Sequence, residues 1–514
     1  MSDKRPSFIL FVTDQQRADY LGCAGHPFLK TPNIDAMAAS GITWENFYVC
    51  SPVCMPNRAS LMTARMPSSH GVRCNGIPLD RRNVTFVELL RDAGYRTALV
   101  GKSHLQNFSG KAPTLKKPGT REGYHRANGP LSEAIRHEHA TYGQEAPGHD
   151  HSVETPFYGF DHVELITGHG DNCGGDYRQW LLRREPKAES LMGPENQMPH
   201  DYTCPQAVRT ALPEELYSTN WIADRAATWL AAQEDSDQPY FLMVSFPDPH
   251  HPFNPPGRYW DMYDPADMPV PDAFLRNDWT PPPHVAGVIG QREAGQAAIG
   301  GMGTIGISSR EAQEAQALTC GMITMIDDAI GRIRSAPGAA KAIQIFTSDH
   351  GDNLGDHRLL FKGAEQYEQV TKVPFIWCEP DQERAVRRSR FGQTMDIGTT
   401  ILDRGRIEAA IGMQGISLLE HARDSALIQY DHQKDNPGIG TGPRVHTLRT
   451  GLFRLSIFDS IDWGEFYDLA QDPGELVNLW DDPAYADARA SVMELLARAE
   501  IASVDRSPFP TAQA

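Results

Sequence analysis

The 514-residue chain has no excess of basic charge: 48 Lys and Arg face 66 Asp and Glu, for a formal net charge of −18. A nucleic-acid or anionic-membrane partner needs a basic face, so this balance speaks against both. Long hydrophobic runs are lacking as well, since no stretch reaches the ~20 apolar residues that cross a bilayer. The run Phe8-Ile9-Leu10-Phe11-Val12 follows Lys4 and Arg5 but is too short for a secretory signal. It passes straight into Thr13-Asp14 and reads as a first strand. Cysteines number only eight, irregularly spaced and without a Cys-x-x-Cys pair. That pattern suggests reduced thiols in a cytoplasmic protein rather than a disulfide framework. There are no internal repeats.

What is there is the composition of an ordinary globular enzyme, 40% hydrophobic and 22% charged. The length exceeds what one simple core holds, so a large domain with a smaller appendage is expected. The predicted division is 1–420 for a catalytic α/β domain and 421–514 for a C-terminal α+β subdomain. The texture changes beyond residue 416. Leu427 to Tyr430, Thr447 to Arg449, Leu452 to Ile457 and Glu465 to Leu469 alternate as hairpin strands do, and a helix from Ala484 to about Ala502 closes the chain.

Upstream, short apolar runs read as strands at Ser7 to Val12, Thr97 to Val100, Tyr240 to Phe246, Ala342 to Thr347 and Lys372 to Trp377, with Ile42 to Val49 as an extended return. Helices are predicted over Asn33 to Ser40 with Gly41 as its C′ glycine, Phe86 to Ala93 behind a Thr85 cap, Ser218 to about Gln233, Ser309 to Arg334, and from Asp396 to about Leu402. Continuous apolar strands of this kind suit a parallel sheet covered on both faces. Segments 105–215 and 254–308 are rich in Gly and Pro and read as irregular loops walling a pocket.

Four of the apolar runs end in polar residues: Asp14 and Gln15, Lys102 and His104, His250 beside His251, and Asp349 and His350. Adjacent oxygen-bearing side chains after a strand suit a hard divalent cation, and a plain turn uses the same residues. Lys102 and His104, two apart in an extended segment, would share one face and reach one anion. In open α/β sheets ligands bind beyond the carboxyl ends of the strands, so these groups can converge on one crevice. Cys54-Met55-Pro56-Asn57-Arg58 opens a helix-forming stretch, Ala59 to Arg65. Pro56 suits the first turn and Cys54 falls just before the N-terminus, where free N–H groups and the dipole favour anions. A buried structural cysteine beside a helix fits the same residues.

Cys54-x-Pro56-x-Arg58 with its downstream helix resembles the sulfatase signature, and Asn57 departs from it where the family usually carries serine. The resemblance continues along the chain: Asp14-Gln15 and Asp349-His350 are similar to the family's metal ligands, and Gly101-Lys102-Ser103-His104 to its Gly-Lys-x-His. Pro249-His250 is similar to its Pro-His loop, Lys362 to its late substrate lysine, and Tyr467-Asp468-Leu469 with Asp472-Pro473-Gly474-Glu475 and Asn478-Leu479 to its C-terminal pattern. The fold this implies is alkaline phosphatase-like: a large mixed, mostly parallel sheet sandwiched by helices, with a small C-terminal antiparallel sheet plus helix.

The resemblance also implies the site. Cys54 would be oxidised by a formylglycine-generating enzyme to formylglycine, whose hydrate is the nucleophile. One divalent ion per subunit, Ca2+ or Mn2+, would be held by Asp14, Gln15, residue 54, Asp349 and His350, with His350 leaning towards manganese. Arg58 would keep nucleophile and metal site in register. Lys102, His250 and Lys362 would supply cations to the transferring group, with His250 or Lys362 protonating the leaving alkoxide. His104 would take the proton of the remaining hydroxyl so that sulfate is expelled. The implied activity is arylsulfatase-type hydrolysis of a small sulfate monoester, with side activity on phosphonate monoesters and phosphodiesters. The alternative is a phosphonate monoester hydrolase or phosphodiesterase of the same superfamily, which usually has Tyr and Thr where this chain has Lys102 and His104. From another class, the alternative is a non-catalytic anion-binding protein with unmodified Cys54. A homo-oligomer, dimer or tetramer, is expected.

Overall fold

The strand Ser7–Thr13 (β1) is buried from Phe8 onward on both faces, so layers must cover it above and below. It lies at the centre of a nine-stranded sheet in the computed structural model, which describes residues 4–108, 153–297, 303–433, 435–459 and 461–511. The other members are Ile42–Tyr48 (β2), Arg96–Lys102 (β3), His162–Thr167 (β4), Gly174–Gly175 (β5), Tyr240–Ser245 (β6), Ala342–Ser348 (β7), Phe375–Cys378 (β8) and Val386–Gln393 (β9). Their order is β9-β2-β8-β7-β1-β6-β3-β4-β5. From β7 through β4 the pairing is parallel, and β8 runs antiparallel to both its neighbours. The sheet is therefore mixed and mostly parallel.

Alternation along each strand divides the core into two layers. Ile9, Phe11, Val100 and Val244 face Pro32–Ser40 (α1), Ser218–Ala231 (α3) and Ser309–Arg334 (α4), through Met37, Trp221, Ile222, Ile326 and Ile330. Phe8, Leu10, Leu99 and Met243 face Cys54–Thr63 (α2) and the short helix Phe86–Asp92, through Met55, Ala59, Phe86 and Leu90. Each fully buried Leu, Ile or Phe contributes roughly 1.5–3 kcal/mol, which makes the sheet a rigid support for whatever its strand ends carry. Capping boxes fix two starts: Thr85 with Glu88, and Ser308 with Glu311.

The structure departs from the sequence reading at several points. Gly41 is not a left-handed C′ residue, because its φ is −117; a Cβ there would meet the Met37 carbonyl at 2.6 Å and that of Trp377 at 2.8 Å. Segments read as irregular contain the strand β4 and the helix Pro283–Glu293, whose Gly287 lies against the backbone of Gly438. Residues 109–152 and 298–302 of those segments lie outside the described residues. The edge strand β9 carries Arg387, Arg388 and Arg390 and a register shift before Phe391, features that blunt an open sheet edge.

Past β9 the strands Ser425–Asp431 (β10), Arg444–Thr450 (β11), Phe453–Phe458 (β12) and Gly464–Asp468 (β13) form a separate four-stranded antiparallel sheet in chain order, with Ala486–Ala502 packed on it through Val492 and Leu496. Buried ion pairs join this sheet to the main body. Arg449 reaches Glu368 at 2.8 Å, Arg454 holds Glu465 at 3.1 Å and also Glu475, and Glu475 in turn accepts the Glu368 N–H at 2.7 Å. All eight cysteines are free thiols. Among the described residues no helix is long and apolar enough to cross a membrane.

Candidate active site

The central strands end level with one another. Val12 pairs with Ser245, Gly101 with Ser245, and Thr13 with Ser348, so the residues that follow emerge along one rim. Backbone bonds tie the rim together: Asp349 N–H donates to Thr13 at 3.0 Å and Asp14 N–H to Asp248 at 3.1 Å. Gly101, at φ +112, lets β3 approach β6 where any Cβ would collide with the Ser245 carbonyl. Helix α2 begins at Cys54 itself and aims its first turn at the same rim, with Asn75 Oδ1 accepting the Met55 N–H at 3.0 Å.

Asp14, Cys54, Asp349 and His350, all buried, bring one ligand atom each to within 4.8 Å of one another. Cys54 Sγ is 3.1 Å from His350 Nε2 and 3.7 Å from Asp14 Oδ1, and His350 Nε2 is 3.6 Å from Asp14 Oδ1 and from Asp349 Oδ1. His350 Nδ1 donates to the Gly351 carbonyl at 3.0 Å, which leaves the Nε2 lone pair facing two carboxyl groups. The Cys54 thiol has a single proton to share among these groups, and a cation between them would satisfy the remaining lone pairs. Edges of this length match a shell of bonds about 2.0–2.5 Å long. The donor set therefore fits a divalent ion. Gln15, at φ +69, donates its backbone N–H to Asp349 Oδ1 at 3.1 Å, and its side chain turns to Lys362, Asp352 and His251.

Arg58 stitches the centre together. Its Nε donates to Asp349 at 2.7 Å, Nη1 to the Lys102 carbonyl at 3.0 Å and to Ser245 Oγ at 2.9 Å, and Nη2 to Asp14 at 3.5 Å. Asn57 braces the same helix from the other side. Its Nδ2 donates to the Asp349 carbonyl at 2.5 Å, while its Oδ1 accepts from Cys50 N–H and Thr394 Oγ1. A serine could not span these three partners, which gives the departure from the signature at this position a structural purpose.

Two ammonium groups stand over the cluster. Lys102 bonds Asp14 and lies 2.7 Å from His169 Nε2; Lys362 bonds Gln15 Oε1 and lies 2.7 Å from His250 Nε2. His104 has left the strand and turned to φ +55, so it does not share an extended face with Lys102. Its ring instead packs on Phe108 at 4.3 Å, and Lys102 Nζ lies 5.9 Å above that same ring.

Burial and neighbouring charge set the protonation states. Burial pushes the Cys54 thiol up to about 11, with Asp14 adding to the effect. Burial would also raise Asp14, but the charges of Lys102 and Arg58 offset it and hold the carboxyl well below its usual range. Burial, with nearby cations, holds His250 and His104 well below the imidazole range, His350 at about 4 and His169 at about 3. His250 is thus an uncharged ring near neutrality. It enters as a hydrogen-bond partner of Lys362, not as the cation expected from the sequence.

The rim thus gathers Asp14, Gln15, Cys54, Arg58, Lys102, His104, His250, Asp349, His350 and Lys362. It also holds His169, Ser245 and Asp352, which sequence reasoning did not place there. His169 follows β4 between Gly168 and Gly170, and a histidine between two glycines directly after Leu165-Ile166-Thr167 is the signal that could have found it.

A helix start, a cation site and paired ammonium groups above a mostly parallel sheet define the alkaline phosphatase-like class of fold. The sulfatase family model matches residues 6–407, and one described as N-sulphoglucosamine sulphohydrolase, C-terminal, matches residues 355–502. The chain belongs to the sulfatase family. An arylsulfatase of Clostridium perfringens is 29% identical, with 94% of this chain and 92% of that one covered. The multifunctional alkaline phosphatase superfamily protein PehA of Trinickia caryophylli is 26% identical, over 94% of this chain and 92% of its own. The structure of a phosphonate monoester hydrolase of Agrobacterium radiobacter superposes with a TM-score of 0.76 at 25% identity, covering 98% of this chain and 97% of that one.

Proposed function

We propose that this chain hydrolyses sulfate monoesters of the arylsulfatase type, using residue 54, matured to formylglycine, beside a divalent ion held by Asp14, Gln15, Asp349 and His350. The observation that carries the reading is the setting of Cys54. Its Sγ touches the cation site at 3.1 Å from His350, while burial keeps the thiol protonated at neutral pH. A protonated thiol is a poor nucleophile in that place, whereas the hydrate of an aldehyde offers both a nucleophilic oxygen and a second hydroxyl for expelling the product. The bound ion would supply Lewis-acid charge at the attacking and transferring oxygens. The other roles belong to the chain. Arg58 fixes Asp349 and Asp14 relative to α2, and Lys102 and Lys362 bear on the transferring group. Lys362, steadied by His250, protonates the leaving oxygen, and His104 takes the proton that releases sulfate. The named arylsulfatase relative supports the substrate class.

Phosphonate monoesters and phosphodiesters are the second reading, favoured by the structural likeness to the phosphonate monoester hydrolase. Lys102 and His104 favour the sulfate reading, because the phosphonate enzymes usually carry Tyr and Thr at these two positions. The test has two arms. Mass spectrometry of the peptide containing residue 54 should show the aldehyde in protein matured in a competent host. Rate constants for nitrophenyl sulfate should then exceed those for phenylphosphonate esters. Unmodified, inert protein would overturn the reading, and a faster phosphonate reaction would replace it with the second.

A further inference from the structure

We propose that His169 is a positioning residue that aims the Lys102 ammonium at the transferring group, and that it does so as half of a stacked pair of Lys–His couples. The inference rests on the reading of Lys102 given under the proposed function.

The geometry is specific. Strand β4 ends at Thr167, and two glycines with left-handed backbones, Gly168 at φ +74 and Gly170 at φ +61, turn the intervening histidine over the rim. Alanine at 170 would bring its Cβ to 2.8 Å from Asn254 and Pro252, so the turn depends on that glycine. His169 Nε2 then lies 2.7 Å from Lys102 Nζ and accepts one of its protons, while Asp14 takes another. Across the crevice the same arrangement recurs, with Lys362 Nζ 2.7 Å from His250 Nε2. Here the opposite ring nitrogen can be followed: His250 Nδ1 donates to the His251 carbonyl at 2.6 Å, which reserves Nε2 as the acceptor. The two imidazoles lie face to face, centroids 3.6 Å apart and planes 11° apart. One ring stack therefore sets the spacing between two ammonium groups that come from distant parts of the chain.

Asp14, His169 and His250 also bring ligand atoms within 4.8 Å of one another, the spacing of a metal site. The Lys102 ammonium bridges Asp14 and His169, so the positive charge there belongs to the chain. A lysine carries a compact charge on a flexible stem, and holding its head group in one place needs an acceptor that does not itself move. His169 has that character: it is a ring clamped between Lys102 and the face of His250.

The experiment is a double-mutant cycle on matured protein, run with whichever ester class the wild type hydrolyses faster. The wild type thus decides the substrate class, and the variants decide the inference. H169L should lower kcat by about 10- to 100-fold, the range seen when a partner that orients a reacting group is removed, with KM changed far less. H169F keeps a ring to stack on His250 but offers no acceptor, and should fall as far. H169Q restores an acceptor and should recover most of the loss. In a K102A background H169L should change nothing further, because the residue acts through that lysine. Wild-type kcat in both H169L and H169F would overturn the proposal. So would losses that multiply in the double variant. Calorimetric titration with inorganic sulfate gives the same cycle without turnover: weakening by H169L that survives in K102A also overturns it. A wild type inert towards every ester, yet binding sulfate with the expected non-additive pattern, would instead strike only the proposed activity.

Discussion

Replacing Arg58 by leucine tests whether a single guanidinium holds the centre together. The side chain is 1% exposed and serves four acceptors on four strand ends: Asp349, Asp14, the Lys102 carbonyl and Ser245 Oγ. Breaking a buried ion pair by removing one partner costs about 3–5 kcal/mol, because the other charge stays buried. The orphaned carbonyl and hydroxyl would add roughly 1–3 kcal/mol each if the terms were independent. They share one network, so the total should stay on the order of 5 kcal/mol. Against a typical stability of about 5–15 kcal/mol this is a large share, and it should appear in EDTA-treated protein as a fall in the urea midpoint on the order of 1 M. Arg58→Lys keeps the charge but not the fork, so it should fall between. A divalent ion neutralises Asp14 and Asp349 from the other side, so its addition should narrow the gap between Arg58→Leu and wild type. If Arg58→Leu in EDTA unfolded within about 1 kcal/mol of wild type, or if the ion left the gap unchanged, the account of the shared carboxyl groups would be wrong.

Chelation should abolish ester hydrolysis, and Mn2+ or Ca2+ should restore it; activity that persists after exhaustive EDTA dialysis would remove the ion from the scheme. Cys54→Ala should be folded, should still take up the ion through its remaining ligands, and should turn over no ester; residual turnover above background would exclude residue 54 as nucleophile. Away from the crevice, burial pushes His70 down to about 3 and His357 down to about 4, so both rings are neutral in the fold and gain protons on unfolding below about 6.5. Their stabilisation is complete above that pH and is lost as pH falls towards 4. Between pH 7.5 and 5.0 each should forfeit about 2 kcal/mol, and His70→Gln should remove its share of that slope in urea unfolding; an unchanged slope would refute it.

The strand-end residues were legible because their strands are doubly covered. Phe8 to Val12, Leu99-Val100 and Phe241 to Val244 are continuous apolar runs, and Ile343 to Phe346 is broken only by the buried Gln344, so the polar residues after each announce the rim. Strands towards the margins of the sheet lack that signal. In β4 only Leu165 to Thr167 are buried, while His162, Val163 and Glu164 remain partly exposed, and β9 displays arginines to solvent. His169 was hidden for this reason, since no recognisable strand pointed to it. The helix Pro283–Glu293 was masked by its own prolines and glycines. The order and direction of the strands lay beyond reach altogether: nothing local in Phe375–Cys378 says that it runs against both neighbours, because pairing is chosen by contacts far away in the chain.

The acidic balance of the chain acquires a specific meaning at the rim. The protein carries −18 overall, yet three basic side chains, Arg58, Lys102 and Lys362, are buried together beside three carboxyl groups, Asp14, Asp349 and Asp352. The histidines there are held uncharged, so they do not tip the sum. By protein charges alone the crevice is close to neutral, and it sits inside a field that repels anions. Its affinity for an anion must therefore come from arrangement: Asp14 and Asp349 are committed to Arg58 and the ligand cluster, and Asp352 to the Gln15 amide and the N–H groups of Leu354 and Phe361, while Lys102 and Lys362 keep protons to offer outward. A bound divalent ion would make the same crevice net positive without altering any side chain. Ion binding and anion binding should accordingly be coupled, and inorganic sulfate should tighten the ion as much as the ion tightens sulfate, since linkage between two ligands is reciprocal.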